Sequence, residues 1–265
     1  MIYASIIFGI LQGIFEWLPI SSQGSLVLIM VGLMDIDPLN ALNLAIFLHT
    51  GTLLSVIVYF RNDIVRILKS LRSYKPGYSD ENNGLLTFLI VSTIITGILG
   101  FVLYISLRNF TFSGEIFLGL VGLALIITGI LQKISERGKM KFTKPNLKDS
   151  IIMGILQGLA VIPGISRSGI TVSGLLLRKY DSKEALRLSF LMSIPAVLGA
   201  EIGLALLNSL PNISFSDALF GIASSFAAGL LTIHVLMKLT HRIKFWIFCI
   251  LIGVLALIPF FGLFI

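Results

Sequence analysis

The sequence predicts an all-α polytopic membrane protein, an inverted-topology repeat in which each half holds one re-entrant helix hairpin and three transmembrane helices. Three observations carry this. The 265 residues are 56% hydrophobic and only 12% charged, about half the charged share of an ordinary soluble domain. Several apolar runs approach the ~20 residues that a helix needs to cross a bilayer, and the short alternating strands of a barrel are absent. The pentapeptide GILQG occurs at residues 9–13 and again at 154–158, and each copy soon meets a proline and a serine cluster.

Taken in order, residues 2–34 form two short apolar halves split at Pro19, followed by apolar runs at 41–60, 85–107 and 117–131. The second GILQG opens two more short halves, 150–162 and 169–177, split by Pro-Gly; runs at 188–207, 219–237 and 245–265 complete the chain. Nearly all lysines and arginines lie in four stretches, 61–75, 133–148, 178–187 and 238–244. The excess of base on cytoplasmic loops places all four inside. The other connections carry Asp35, Asp37, Glu115 and Asp217, with Arg108 as their one base, and read as external. Both flanks of 149–178 are then cytoplasmic, although each apolar half is too short to span, so the segment dips in and returns. Residues 2–34 dip in from the outside by the same reasoning.

The whole chain, 1–265, reads as a single membrane domain, with a first repeat at 1–133, a cytoplasmic linker at 134–149 and a second repeat at 150–265. Three spans per unit is an odd number, so the two units run in opposite senses. Such repeats place polar sites near the midplane, where broken helices meet. The formal charge of +7 is a topology signal here, and no nucleic-acid partner is expected. The single cysteine, Cys249, offers neither a disulfide nor metal-ligand spacing. Residues 1–18 lack a basic leader and carry the first pentapeptide, so they read as mature protein.

The hairpin tips are SSQGS (Ser21–Ser25) and SRSG (Ser166–Gly169). Small residues and glutamine often pack membrane helices, and Gln12 and Gln157 can be read that way or as site residues. Glu16 and Arg167 are different, because a charge at membrane depth is costly and marks function or pairing. The Arg167 guanidinium can grip phosphate oxygens in bidentate fashion, and a half-helix starting there attracts an anion. Ser21, Ser22, Gln23 and Ser25 offer hydroxyl and amide groups at the other tip. Glu16, about one turn before them, could act as a general base or hold a divalent metal on the phosphates. Together these groups suggest phosphoryl chemistry on a lipid headgroup.

QGIFEWLPISSQGS resembles the (E/Q)xxxE-containing signature of the undecaprenyl-diphosphate phosphatases, the bacitracin-resistance type, and PGISRSGIT matches their PGxSRSxxT motif. The resemblance extends to FLHTGTLLSVIVYFR (47–61) and SFLMSIPAVLGA (189–200). It implies removal of the terminal phosphate from a polyprenyl diphosphate, recycling the lipid carrier of cell-wall glycan synthesis. It implies an inverted-repeat fold in the plasma membrane with an outward-facing site. It makes Gln12 and Glu16 the signature pair, Ser22 the nucleophile with Ser21 beside it, and Arg167 the diphosphate clamp, flanked by Ser166 and Ser168 with Thr171 closing the motif. It also implies a magnesium or calcium ion, which no ligand spacing in this sequence shows.

One departure stands out. Family members usually read SSxGH at the first tip, and here Ser25 replaces the histidine. Glu16 could act alone, another histidine could stand in, or turnover could be low. His49 lies eight residues beyond Ala41, about 12 Å deep at ~1.5 Å per residue; it either bonds a neighbouring helix or serves as an accessory group. Glu201, within a span, either packs against a polar partner or lines the cavity. His234 and His241 read as unrelated, towards the cytoplasmic side. A transporter or flippase of polyprenyl phosphate is the competing function, because inverted repeats are common in transporters. A homodimer is one assembly that the sequence leaves open.

Overall fold

The first apolar half folds as α1 (Ile2–Phe15) and the second as α2 (Ser22–Met34), with Pro19 in the turn between them. This is a computed structural model, and it describes residues 2–77, 80–108, 114–135, 144–162, 164–206, 211, 213–239 and 245–258. The α2 start is specified locally. Ser21 adopts a left-handed φ of 57° and its Oγ accepts the Gly24 N–H, capping the helix. Asp37 then accepts the Leu39 and Asn40 N–H groups at 3.0 Å, with proline at the next position. That cap starts α3 (Pro38–Tyr59) where a side-chain acceptor and a pre-set φ favour helix initiation.

Residues 61–75 are not a simple loop. They fold as α4 (Arg61–Ser70) and a single 3₁₀ turn, Leu71–Ser73. Ile64, Val65, Ile67 and Leu68 recur among Arg66 and Lys69 at helical spacing, so a count of charges alone conceals an amphipathic helix. Two long helices follow, α5 (Glu81–Arg108) and α6 (Gly114–Ser135).

The second short pair is α7 (Leu147–Leu159) and α8 (Arg167–Leu177). Asn146 caps α7 by accepting the Asp149 N–H, and Ser166 caps α8 by accepting the Gly169 N–H. Gly164, in the turn, has φ 98°, and a Cβ there would lie 2.5 Å from the Val121 carbonyl oxygen, so only glycine fits. The base of the pair is tied by the buried Asp149, whose carboxylate accepts from Arg178 Nε at 2.6 Å and from the Tyr180 hydroxyl at 2.8 Å. The chain ends in α9 (Ser182–Leu206), α10 (Phe215–Leu239) and α11 (Phe245–Leu257).

Every described element is helical, eleven helices in all besides the 3₁₀ turn, and four are long and apolar enough to cross a membrane: α3, α5, α9 and α10. The expected spans 117–131 and 245–265 lie in α6 and α11, which pack on each other. Residues 259–265, Pro163, and the basic residues Arg137, Lys139, Lys141, Arg242 and Lys244 lie outside the described residues.

The two pentapeptides do the same packing job on different partners. Gly9 and Gly13 press α1 onto α10, where a Cβ on Gly13 would come within 2.6 Å of Ser225 O and Gly229 N. Gly154 and Gly158 press α7 onto α5, where a Cβ on Gly154 would meet Ser92 O at 2.9 Å. Three apolar clusters fill the rest. One, around Trp17, Val56, Phe60, Phe190 and Ile233, joins the first hairpin to α3, α9 and α10. Another joins α5, α7, α8 and α9, and a third joins α1, α2 and α3.

Candidate active site

The two hairpin turns meet. Ser168 Oγ donates to Leu18 O at 3.0 Å, and a Cβ on Gly24 would lie 3.0 Å from Gly164 Cα. Gln132 Nε2 on α6 donates to Pro19 O, and Cys249 Sγ on α11 donates to the same oxygen at 2.9 Å. Ser22 and Arg167 are the first residues of α2 and α8. Each half-helix therefore presents its N-terminus and the positive end of its dipole beside the turns.

Glu16 is the centre of the arrangement. It follows the last residue of α1, and its carboxylate is almost fully enclosed. Its Oε1 takes Arg167 NH2 at 2.5 Å. Its Oε2 takes the Ser22 hydroxyl at 2.6 Å, His49 Nε2 at 2.9 Å and Gln12 Nε2 at 3.1 Å. Burying one carboxylate among these donors offsets the desolvation that an unpaired charge would suffer. Arg167 is also held by Ser189 O at 3.3 Å and stands over the Trp17 ring, 5.6 Å from its centroid. Residues from the first hairpin, from α3 and from the second hairpin thus converge on one acidic group. Chemically, this is a hydroxyl already hydrogen-bonded to a base, with a guanidinium alongside that can hold an anion.

The matching sequences point the same way. The family model described as bacitracin resistance protein BacA matches residues 5–258. A protein of Methanococcoides burtonii named undecaprenyl-diphosphatase is 44% identical over 260 residues, 97% of each chain. Proteins of the same name from Haloarcula marismortui and Methanopyrus kandleri are each 37% identical over 262 residues. The first match covers 97% of this chain and 96% of the relative, the second 97% and 95%. The chain belongs to the BacA/undecaprenyl-diphosphatase family.

Within this BacA-family chain, Gln12, Glu16, Ser22 and Arg167 come together as the motifs suggested. The other expected polar residues surround them with their hydroxyls engaged. Ser21 and Ser166 cap helices, and Thr171 bonds Arg167 O and Ser189 Oγ, each at 2.7 Å. Ser168 ties the two turns together, and Ser166 Oγ lies 3.3 Å from its hydroxyl. Ser25 Oγ is turned back to Ile20 O at 3.4 Å, and Gln23 stands half-buried at the start of α2. Glu201 sits beside Thr50 and acts electrostatically on His49, and its Oε1 is buried without a partner. His234 is exposed and stacks edge-on with Tyr59, away from these groups; His241 lies outside the described residues.

Three contributors were not assigned from sequence: Ser189, Trp17 and Gln132. A serine in a span usually bonds its own helix, and a tryptophan is at home in a core, so neither carries a signal of its own. Gln132 had the same signal as Gln12, an amide at the end of an apolar run.

A divalent cation of the magnesium or calcium type needs about six oxygen ligands, carboxylates prominent among them. Here one carboxylate is shared among four donors, one of them a guanidinium, and no cluster of three or more His, Cys, Asp or Glu exists among the described residues. The residues do not fit a cation held by the chain itself.

Proposed function

We propose that this chain hydrolyses a polyprenyl diphosphate of the undecaprenyl type to the monophosphate and inorganic phosphate, at the site centred on Glu16, Ser22 and Arg167. The observation that carries it is the pair of contacts on one carboxylate: Ser22 Oγ on Oε2 at 2.6 Å and Arg167 on Oε1 at 2.5 Å. Those contacts support Ser22 as nucleophile, Glu16 as its base and Arg167 as anion clamp.

Arg167 transfers from Glu16 to the oxygens of the terminal phosphate, beside the N-termini of α2 and α8. This leaves Glu16 freer to act as a base. Ser22 Oγ attacks the terminal phosphorus and its proton passes to Glu16 Oε2. The bond from that phosphorus to the bridging oxygen breaks, and its electron pair leaves with the polyprenyl monophosphate. The proton taken from Ser22 leaves Glu16 to solvent. Water then attacks the phosphoserine, and the bond from phosphorus to Oγ breaks with its electron pair on Oγ. One water proton stays with the departing phosphate, and the other passes through Glu16 to Ser22 Oγ. Gln12, Ser21, Gln23, Ser25, Ser166, Ser168 and Thr171 would surround or brace the headgroup. A magnesium or calcium ion would arrive on the diphosphate as part of the substrate.

The same reading treats the chain as two inverted units, 1–133 and 150–265, joined by a cytoplasmic linker at 134–149, with the site facing outside. The exchanged packing supports it: α1 of the first unit lies on α10 of the second, and α7 of the second lies on α5 of the first. A two-fold relation between units would produce that swap.

The test is phosphate release from a polyprenyl diphosphate by the purified protein. Glu16→Gln and Arg167→Ala should each cut release by about 100-fold or more, the range of a lost general base or oxyanion donor. Unchanged rates in both would remove this assignment. Substantial residual turnover in Ser22→Ala would replace serine attack by direct attack of water. Lipid translocation without phosphate release would identify a transporter instead.

A further inference from the structure

We propose that His49 is a positioning residue for Glu16, supplying from α3 the imidazole that the first hairpin tip lacks at Ser25. The inference rests on the phosphatase reading and assigns within it the group that aims the base.

His49 is buried on α3, and both of its ring nitrogens are spoken for. Nδ1 lies 2.6 Å from Ala45 O, one turn earlier on the same helix. A carbonyl and a carboxylate can each only accept, so both ring nitrogens donate and the ring is an imidazolium; the Nδ1 bond fixes the ring plane and sends Nε2 outward. Nε2 lies 2.9 Å from Glu16 Oε2, the oxygen that also receives the Ser22 hydroxyl. A histidine that merely braced two helices would end on backbone or on a neutral side chain. This one ends on the reacting carboxylate.

The helix that carries it is held at this level. Ser225 Oγ on α10 donates to Leu48 O at 3.0 Å, and a Cβ on Gly51 would lie 2.5 Å from Ile222 O. Thr52 Oγ1 donates to His49 O at 2.9 Å. The charged groups that act on the ring are Glu16, from the end of α1, and Glu201, from α9. The hydroxyl at position 25 cannot take this part, since it turns to Ile20 O.

The consequence appears when substrate binds. Once Arg167 moves to the phosphate, Glu16 loses its partner on Oε1. His49 then becomes the principal donor keeping Oε2 on Ser22 Oγ, with Gln12 as the weaker second. Removing the ring lets the carboxylate swing away from the nucleophile without altering the diphosphate clamp. The loss should therefore fall on kcat and spare KM.

The experiment uses the purified full chain and a polyprenyl diphosphate, with His49→Ala, His49→Gln and the double variant His49→Ala/Ser25→His. His49→Ala should lower kcat by about 10- to 100-fold, the worth of one hydrogen bond to a charged group, with KM within about threefold. His49→Gln, which keeps a donor, should fall between His49→Ala and wild type. Ser25→His in the His49→Ala background should recover a large part of kcat by returning an imidazole from the other side of the site. A kcat in His49→Ala within about threefold of wild type would overturn the proposal. A loss shared by KM and not recovered by Ser25→His would also overturn it, leaving His49 a packing residue. An inactive wild type would instead count against the phosphatase reading.

Discussion

Gln12 and Gln157 occupy matching places in the two pentapeptides and hold different partners. Gln12 Nε2 reaches Glu16, while its Oε1 is buried with no partner. Gln157 Nε2 is divided between Thr96 Oγ1 and Met192 O, tying α7 to α5 and α9. Gln12→Leu should slow phosphate release by about 10-fold, by the loss of a bond to a charged group, and should leave the melting temperature nearly unchanged because an orphaned acceptor goes with it. Gln157 Oε1 is buried without a partner too, but Gln157→Leu removes two bonds that tie α7 to α5 and α9, so it should lower the melting temperature in detergent and leave kcat within about threefold. Arg167→Lys should lose most of the activity, since a point charge cannot span two phosphate oxygens as a planar fork does. Paired steady-state kinetics and thermal scans read all three. At this scale Glu16 and Arg167 were legible because an ion in an apolar run demands an account. Ser189 and Trp17 were not, since their contacts are set by tertiary placement.

The short helices rely on glycine for their fit. A side chain on Gly13 or Gly154 would be driven into the backbone of α10 or α5. Gly13→Val and Gly154→Val should each destabilise the protein by about 1–3 kcal/mol, the usual cost of overpacking. Gly97 on α5 has nothing within 4 Å of a built Cβ, so Gly97→Ala should be neutral or stabilising by up to about 1 kcal/mol, from helix propensity. Thermal unfolding of the three variants separates contact from propensity. The hairpins themselves could be read in advance because each apolar half was too short to span and was broken at a proline. α4 could not, because its apolar residues are spaced among the very charges that marked the segment as a loop.

For the molecule as a whole, the orientation of the two units is open to direct test. Cys249 is buried, so an added cysteine is the reactive one. Asp37→Cys and Lys144→Cys, exposed positions just after the first hairpin and just before the second, should react with an impermeant thiol reagent from opposite sides of the membrane. Reaction from one side would remove the inverted arrangement. Composition and the positive-inside pattern lead to six expected spans, and among the described residues four helices, α3, α5, α9 and α10, are long and apolar enough to cross. The meeting of the hairpins was inferred from symmetry, and the geometry then brought Glu16 and Arg167 within one hydrogen bond of each other. That bond has a consequence for turnover. In the proposed reaction, free phosphate would compete with a tethered carboxylate for the same guanidinium, so that Glu16 would expel the product and reset the site in one movement. Inorganic phosphate should therefore be a weak inhibitor of the wild type. Glu16→Gln, in which turnover should be low, should bind phosphate more tightly by equilibrium titration, because no carboxylate remains to reclaim Arg167.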